Sequence, residues 1–252
     1  AAKRTQREIL KNNAFDRLRE SHSAPDAAET FAEMTDRRIT TIAGDVSRDG
    51  LDLNDTDREI FASCSTVIHS AAAVSFDSPL NSAVEINLLG PVRIAELCNQ
   101  LEITPHIVAV STCYVAGNRR GRAPEELVSE GPWDIGLDWR NEVASARRLK
   151  GDTEAISRTR DNLERFRKEA RGELGAAGAP ALAAKTEQLR ERWVRAELVD
   201  AGRSRAASLG WPDAYAYTKA LGEQALTEVK GLVPVSIVRP SIIESAWAEP
   251  NP

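Results

Sequence analysis

Four short apolar runs interrupt an otherwise polar chain, and each of them predicts a β-strand. The runs are rich in β-branched residues and do not alternate cleanly with polar ones, which is typical of strands that helices cover on both faces. They span residues 38–46, 65–74, 105–117 and 233–243. Helical patterns occupy residues 1–20, about 52–63, about 79–100 and 213–230. This alternation predicts βαβ units and therefore an α/β fold, a Rossmann-like doubly wound parallel sheet.

One segment, residues 139–210, departs from this alternation. It is charged and Ala-rich, has no strand pattern, and contains a single helix break at 175–180. Leu149, Ile156 and Leu163 recur every seven residues and therefore share one face of a helix. We expect two long helices that form an antiparallel helical hairpin inserted into the α/β domain.

Composition narrows the class of protein. The 252 residues include 33 basic and 38 acidic side chains, a net charge of -5, which argues against a general nucleic-acid binder. No apolar run approaches the roughly 18 residues of a membrane-spanning helix. The three cysteines are far apart and odd in number, which is typical of free thiols in a reducing compartment. We expect a cytoplasmic protein without a metal site, a nucleic-acid partner or a transmembrane segment; peripheral membrane contact and oligomeric state stay open.

The predicted hairpin is the basic part of the molecule. Residues 139–205 hold 16 basic and 11 acidic side chains, whereas the rest of the chain holds 17 and 27. Such a surface attracts an anionic ligand, such as one that carries phosphates, or an acidic partner. The simpler interpretation, a solvated hairpin that only packs, stays open beside it.

In open parallel sheets ligands bind outside the carboxyl ends of the strands, so the residues after each strand are the candidates for chemistry. The last predicted helix carries Tyr215 and Lys219 four positions apart, hence on one face. A cation beside a tyrosine lowers the phenol pKa from about 10, which suits a donor to an oxygen that becomes negative during hydride transfer. Ser111 and Thr112, at the end of the third strand, are placed to orient the same oxygen. The Tyr/Lys spacing alone is common and decides nothing.

Five motifs, in their order along the chain, resemble the extended short-chain dehydrogenase/reductases: GDV, VIHSAAAVSFDSPLNSAVEINLLGPVRIAELC, VSTCYVAG, YAYTKALGEQAL and VSIVRPSII. Within that superfamily the chain is similar to the fatty acyl-CoA reductases of the alcohol-forming, male-sterility type. The run AAAVSFD followed by AVEIN is the most particular part of the resemblance, which covers residues 38–134 and 211–249. The resemblance implies an oxidoreductase that uses NADPH and acts on a fatty acyl-CoA substrate.

The resemblance also implies a division of the chain. Residues 1–138 would form part of an NAD(P)-binding Rossmann domain, residues 139–210 the inserted hairpin, and residues 211–252 the continuation of the Rossmann domain. The family's glycine-rich turn seats the cofactor pyrophosphate, but no Gly-x-x-Gly-x-x-Gly occurs here. We therefore expect a chain truncated at both ends, with the first strand and that turn missing. The preference for NADPH over NADH rests on the resemblance alone.

Matched position by position, the resemblance implies a catalytic set and a cofactor-binding set. Tyr215 would donate the proton, Lys219 would hold the nicotinamide ribose, and Thr112 would assist, with Ser111 as second choice. The cofactor-binding set also includes Asp45 and Val46 at the adenine, the small residues Ser70, Ala71 and Ala72, Asn87 in the active-site water network, and Pro240, Ser241 and Ile242 at the nicotinamide. Arg239 is either an anion contact or half of a structural salt bridge.

The predicted function is the NADPH-dependent reduction of a fatty acyl-CoA thioester to a fatty aldehyde, a fatty alcohol or both. Two alternatives stay open. One is an NAD-dependent sugar-nucleotide epimerase or dehydratase, which would have a polar substrate site where an acyl enzyme has an apolar one. The other is a non-catalytic NAD(P)-binding scaffold. The sequence indicates neither the acyl chain length nor the final product.

Overall fold

The computed structural model describes residues 2–131, 134, 136–175 and 178–243. Three parallel strands form its sheet, in the order β1 (Thr66–His69), β2 (His106–Val110) and β3 (Val235–Val238). The predicted α/β class and Rossmann-like parallel sheet are confirmed. Each strand is shorter than the apolar run that predicted it, because the ends of each run turn away from the ladder.

Ten α-helices accompany the sheet within the described residues: α1 (Ala2–Arg4), α2 (Asp16–Ser21), α3 (Phe31–Arg38), α4 (Asp55–Ala62), α5 (Leu80–Ala83), α6 (Leu89–Gln100), α7 (Trp139–Ser157), α8 (Arg160–Leu174), α9 (Ala179–Leu209) and α10 (Ala214–Val229). A π-helical segment, Val84–Leu88, joins α5 to α6, so helical structure over most of 79–100 is confirmed. One continuous helix at 1–20 is wrong: the chain breaks after the π-helical Thr5–Ile9, where Asn12 caps a 3-10 turn.

Helices α6 and α10 cover one face of the sheet. Ile107 and Ala109 of β2 are buried against α6 and against Leu226 of α10. The opposite face is open, since Ile68 is 69% and Val238 47% exposed. The expectation of strands covered on both faces is therefore wrong for the described residues. The apolar composition of a strand shows that both of its faces are able to be buried. Whether each face is buried depends on the elements that pack against it.

The strand predicted at 38–46 is wrong. Helix α3, which begins with a capping box, extends to the first residue of this run. The other residues of the run form no ladder with β1. Ile42 packs on the same core as α6 without joining the sheet. The N–H of Asp45 donates to the carbonyl of Leu51 (2.9 Å), so this stretch closes a loop instead of extending the sheet.

The insertion contains three helices, so the prediction of two long helices is wrong. The chain breaks between α7 and α8 at residues 158–159, where the backbone of Thr159 is extended. The predicted heptad face is therefore interrupted: Leu149 packs against the main core, whereas Ile156 and Leu163 are exposed. Helix α9 packs against both α7 and α8, so the insertion is still a helical hairpin.

The insertion docks on α10 through part-buried polar contacts. Glu142 of α7 accepts from the hydroxyl of Tyr217 and from Nε of Arg205 in α9 (3.0 Å). Trp139 of α7 donates from its indole N–H to Glu228 of α10 (2.8 Å). Tyr217 lies two residues after Tyr215, on a different face of α10, and is buried in the core. The hairpin and the helix that carries the candidate acid are thus held together.

Helix α10 approaches the Asn87 segment so closely that only glycine fits at position 222. A β carbon on Gly222 would lie 2.5 Å from the carbonyl oxygen of Asn87. We expect Gly222→Ala to lower the free energy of unfolding by about 1–3 kcal/mol through overpacking. Gly151→Ala in α7, where nothing lies within 4 Å, is the matched control and should raise it by about 0.5–1 kcal/mol. Urea denaturation measures both; equal stabilities would contradict the close approach.

Candidate active site

The carboxyl ends of the strands and the first turns of α10 meet at one edge of the sheet. Asp213 caps α10 by accepting from the N–H of Ala216 (2.8 Å), which fixes where the helix begins. The chain beyond β2 stays beside the chain beyond β3, because the N–H of Cys113 donates to the carbonyl of Pro240 (2.9 Å). Tyr215, in the first turn of α10, lies against the residues that follow β2.

The structure brings the side chain of Tyr215, the predicted acid, beside that of Thr112, the predicted assistant. Thr112 is buried, and its hydroxyl oxygen also accepts from the N–H of Tyr114 (3.2 Å), which restrains its rotamer. Burial raises the pKa of Tyr215 above its ordinary value, and the neighbouring hydroxyl of Thr112 only partly offsets this effect. Tyr215 is therefore a protonated phenol at neutral pH, which is the form that donates a proton.

Lys219 lies one turn further along α10 and is buried. Its ammonium group donates to the carbonyl of Val110 at the end of β2 (2.7 Å). Burial lowers the pKa of Lys219, and the charge of Glu223 partly offsets this. The predicted lowering of the Tyr215 pKa is wrong for this arrangement, because burial of the phenol is the largest influence and raises that pKa.

Ser111 has a different environment from its neighbour Thr112. Its hydroxyl and Nε2 of His69 are buried without a hydrogen-bond partner among the described protein groups. Both residues line a cavity of about 10 Å³ together with Lys219, which is about the space that one water molecule needs. Burial, followed by the charge of Lys219, lowers the pKa of His69 to about 4, so this imidazole is neutral at neutral pH. The structure thus brings Thr112 to Tyr215 and turns Ser111 to the cavity.

Asn87 holds the loop that follows β1. Its carboxamide oxygen accepts from the N–H of Ala73 (2.8 Å), and its amide group donates to the carbonyl of Ala73 and to the hydroxyl of Thr218 in α10, both at 3.2 Å. Both amide protons are thereby engaged within the protein. Asn87 positions the loop against α10, a role that the motif alone does not reveal, and its place in a water network stays a prediction.

Two further groups of residues, predicted to admit the cofactor backbone and to line the nicotinamide, form an open surface at the ends of the strands. Ser70, Ala71 and Ala72 follow β1 directly, the first two exposed and the third half-buried. Their short side chains leave the backbone accessible to a flat ligand at the carboxyl ends of the strands. Pro240 is half-buried after β3, and the two residues that follow it, Ser241 and Ile242, are exposed.

Asp45 and Val46 lie in a loop that contacts α6. The carboxylate of Asp45 is exposed and accepts from the hydroxyl (2.7 Å) and N–H (2.8 Å) of Ser47, which lower its pKa. The carbonyl of Val46 accepts from the buried guanidinium of Arg93 in α6 (3.2 Å). These contacts give both residues a fixed position, and their contact with an adenine ring stays a prediction.

Of the two roles considered for Arg239, the structure shows the salt bridge. Its guanidinium donates to the buried carboxylate of Glu223 in α10 (2.6 Å) and to the carbonyl of Glu126 (2.8 Å). This salt bridge joins the end of β3 to α10, so Arg239 stabilises the position of the carboxyl end of β3 relative to α10.

Phe76 is a residue of this site to which the sequence analysis assigned no role. Its ring meets Tyr215 edge-on, with the ring centroids 6.0 Å apart and the planes at 81°. A second edge-on contact joins it to Tyr114 at 6.4 Å. The sequence feature that could have indicated a role for Phe76 is its position as an aromatic residue among small and polar neighbours in the SFDS stretch after β1.

Comparison of the chain with known proteins identifies its family. The NAD-binding family model described as "Male sterility protein" matches residues 1–252. The chain belongs to this family. The fatty acyl-CoA reductase resemblance of the motifs and the NAD(P)-binding fold are thereby confirmed at the level of the family.

Curated relatives in the male sterility protein family include plant enzymes. The chain is 31% identical over 258 residues to the "Alcohol-forming fatty acyl-CoA reductase" of Simmondsia chinensis, with all of this chain and 45% of the relative covered. It is 29% identical over 259 residues to "Fatty acyl-CoA reductase 2, chloroplastic" of Arabidopsis thaliana, with all of this chain and 36% of the relative covered. The chain therefore spans less than half the length of these relatives.

One solved structure is also similar. The terminal R domain from the myxalamid PKS-NRPS biosynthetic pathway gives a TM-score of 0.45 at 18% sequence identity, covering 92% of this chain and 40% of that one.

Among the described helices, none combines the length and the apolarity needed to cross a membrane. Over the same ranges, no group of three or more His, Cys, Asp or Glu side chains is arranged to hold a metal ion. Cys64, Cys98 and Cys113 are free thiols, as predicted.

Proposed function

We propose that this protein reduces a fatty acyl-CoA thioester with NADPH and releases the fatty aldehyde, the fatty alcohol or both. The observation that supports this most strongly is the placement of Tyr215 beside Thr112, with the buried ammonium of Lys219 one turn further along the same helix. The relatives in the family are named fatty acyl-CoA reductases. A carbonyl reduction is the chemistry in which a protonated tyrosine at a cofactor edge has a direct use.

The residues at the sheet edge fit a nicotinamide cofactor. Lys219 donates one of its three protons to Val110, and an ammonium group has two more for the hydroxyls of a ribose. The open backbone over Ser70 and Ala71 gives a dinucleotide room to approach. NADPH, and not NADH, is proposed because the motifs resemble the NADPH-dependent reductases.

A nicotinamide cofactor held by these residues would supply the hydride that adds to the carbonyl carbon of the thioester. The carbonyl oxygen becomes negative as that bond forms, and in our proposal it accepts hydrogen bonds from the hydroxyls of Tyr215 and Thr112. Preorganised donors in a site shielded from water stabilise such a charge more than water does. Lys219 adds positive charge that stabilises the oxyanion and any phenolate that forms. Expulsion of the coenzyme A thiolate then restores the carbonyl and leaves the aldehyde.

The same residues support a second reduction, for which a second molecule of NADPH would supply the hydride. In the aldehyde no leaving group is present, so the oxyanion must receive a proton, and Tyr215 donates it to give the alcohol. The product formed from palmitoyl-CoA, aldehyde or alcohol, shows whether both steps occur. A sugar-nucleotide enzyme would use the same tyrosine, but family membership together with the names of the relatives favours the thioester.

The cytoplasm is the compartment that we propose for this reaction. The three free thiols support a reducing environment, whereas one relative is named chloroplastic. Fractionation of cells that express a tagged full-length protein separates the two compartments. Recovery in an organelle would contradict the cytoplasmic proposal without affecting the chemistry.

The proposed function is tested by following NADPH absorbance with the full-length protein and palmitoyl-CoA. We expect oxidation of NADPH that requires the thioester and is much slower with NADH. Tightly bound NAD that is released on denaturation, together with turnover of a nucleotide sugar and none of palmitoyl-CoA, would establish the epimerase alternative instead. Cofactor binding without turnover of either substrate would establish the scaffold.

A further inference from the structure

The loop after β1, residues 70–78, is held at two places by different parts of the molecule. Its inner part is fixed by Asn87, which bonds both backbone groups of Ala73. Its outer part is fixed by the insertion: the carboxylate of Asp77 pairs with Arg203 of α9, and the carbonyl of Asp77 accepts from Arg195 of α9 (3.3 Å). Helix α9 therefore reaches from the inserted hairpin to a loop of the candidate active site.

Phe76 lies between these two attachments and is 51% exposed. One part of its ring contacts Tyr215 and Tyr114, and the other part faces solvent. Val74, two residues earlier on the same loop, is also exposed. An aromatic ring that contacts the candidate acid and leaves about half of its surface open offers an apolar wall to whatever binds at Tyr215.

The chemistry of the proposed substrate matches such a wall. With the thioester oxygen at the hydroxyl of Tyr215, we place the adjoining methylene groups beside the ring of Phe76, whose centroid lies 6.0 Å from that of the Tyr215 ring. Apolar carbon gains free energy when it leaves water for an aromatic surface. A ring at this place also reduces the access of water to the developing charge.

We propose that Phe76 determines acyl-chain binding next to the thioester, and that Arg203 and Asp77 are positioning residues through which the insertion holds Phe76 in place. The inference rests on the proposed reduction of an acyl thioester. It gives the hairpin a defined part in the reaction: α9 contributes no reacting group and holds the loop that does contact substrate.

The role of Phe76 is tested by steady-state kinetics of the full-length protein with palmitoyl-CoA and NADPH. We expect Phe76→Ala to raise the KM for palmitoyl-CoA about tenfold, the lower end of what a lost contact costs in an apolar pocket, since the ring is half open. The KM for NADPH and the kcat should change by less than about threefold, and Phe76→Leu should restore most of the loss. A palmitoyl-CoA KM within twofold of wild type, or an equal rise in the NADPH KM, would overturn the role.

The role of the insertion is tested by reversing the ion pair. Asp77→Arg places a third cation beside Arg203 and Arg195, and we expect it to raise the palmitoyl-CoA KM about two- to fivefold, the scale of an exposed ion pair. Combining it with Arg203→Asp should return the KM toward wild type. The matched control is Glu169→Arg, which reverses another exposed pair of the insertion, Arg192–Glu169, and should leave the KM unchanged.

The outcomes separate this inference from the proposed function. If wild type oxidises NADPH with palmitoyl-CoA but Asp77→Arg behaves like Glu169→Arg, the positioning role is overturned and the reductase stands. If the charge-reversed pair fails to recover while the single variant is impaired, the effect of Asp77 does not pass through Arg203 and the inference is again overturned. If wild type shows no thioester-dependent oxidation at all, both the function and the inference are overturned.

Discussion

Tyr215→Phe should lower thioester-dependent NADPH oxidation at least about a hundredfold, the scale expected when a positioned acid is lost. The substitution keeps the ring that contacts Phe76 and removes only the hydroxyl beside Thr112. Binding of NADPH and of palmitoyl-CoA should therefore remain close to wild type. The loss should appear in kcat, because the hydroxyl contributes most when the carbonyl oxygen becomes negative.

The matched control for this variant is Tyr217→Phe, the same change two residues along the same helix. Tyr217 is buried and donates to Glu142, away from the strand ends. Its loss leaves a half-buried carboxylate with one partner fewer, so we expect a decrease of about 1–3 kcal/mol in the free energy of unfolding. The kcat should not change. Equal kcat values for the two variants would show that Tyr215 is not the acid.

Lys219→Met should weaken NADPH binding and lower kcat/KM by about a hundredfold or more, the scale seen when one preorganised donor is removed from an active site. Lys219 is buried with its ammonium at the end of β2, where the candidate ribose site lies. Methionine preserves most of the apolar stem and removes the charge and its donors. Fluorescence titration with NADPH measures the binding part without turnover.

Lys230→Met, at the far end of α10, is the control for Lys219→Met. Lys230 is half-buried and remote from the strand ends that carry the candidate site. We expect its NADPH affinity and kcat to equal those of wild type. Should Lys219→Met also retain wild-type affinity and kcat, the ammonium group would have no part in cofactor binding, and the proposed arrangement at the sheet edge would be wrong.

Local chemistry explains which parts of this site were predictable. The helix that carries Tyr215 and Lys219 has a side-chain cap at Asp213, and the four-residue spacing places both side chains on one face whatever surrounds them. The strand that ends before Thr112 is an apolar run whose register follows from burial of one face. These features depend on residues that are close in sequence, so a pattern is sufficient to predict them.

The parts that were missed depend on contacts between distant residues. Asp77 and Arg203 are 126 positions apart, and no periodicity connects a loop residue to a helix of an insertion. The segment around Ile42 has the composition of a strand, but a strand also needs a partner that accepts its hydrogen bonds, and here it packs as a loop. The direction of the Tyr215 pKa shift was missed for a similar reason, because burial is a property of the whole fold.

The most direct test of the central claim is the transfer of deuterium from NADPH that carries two deuterium atoms at C4 of the nicotinamide. The full-length protein is incubated with this cofactor and palmitoyl-CoA, and the products are analysed by mass spectrometry. The account predicts a fatty aldehyde with one deuterium at C1 or a fatty alcohol with two, and loss of either product in Tyr215→Phe. Unlabelled products, or labelled products formed equally by Tyr215→Phe, would contradict it.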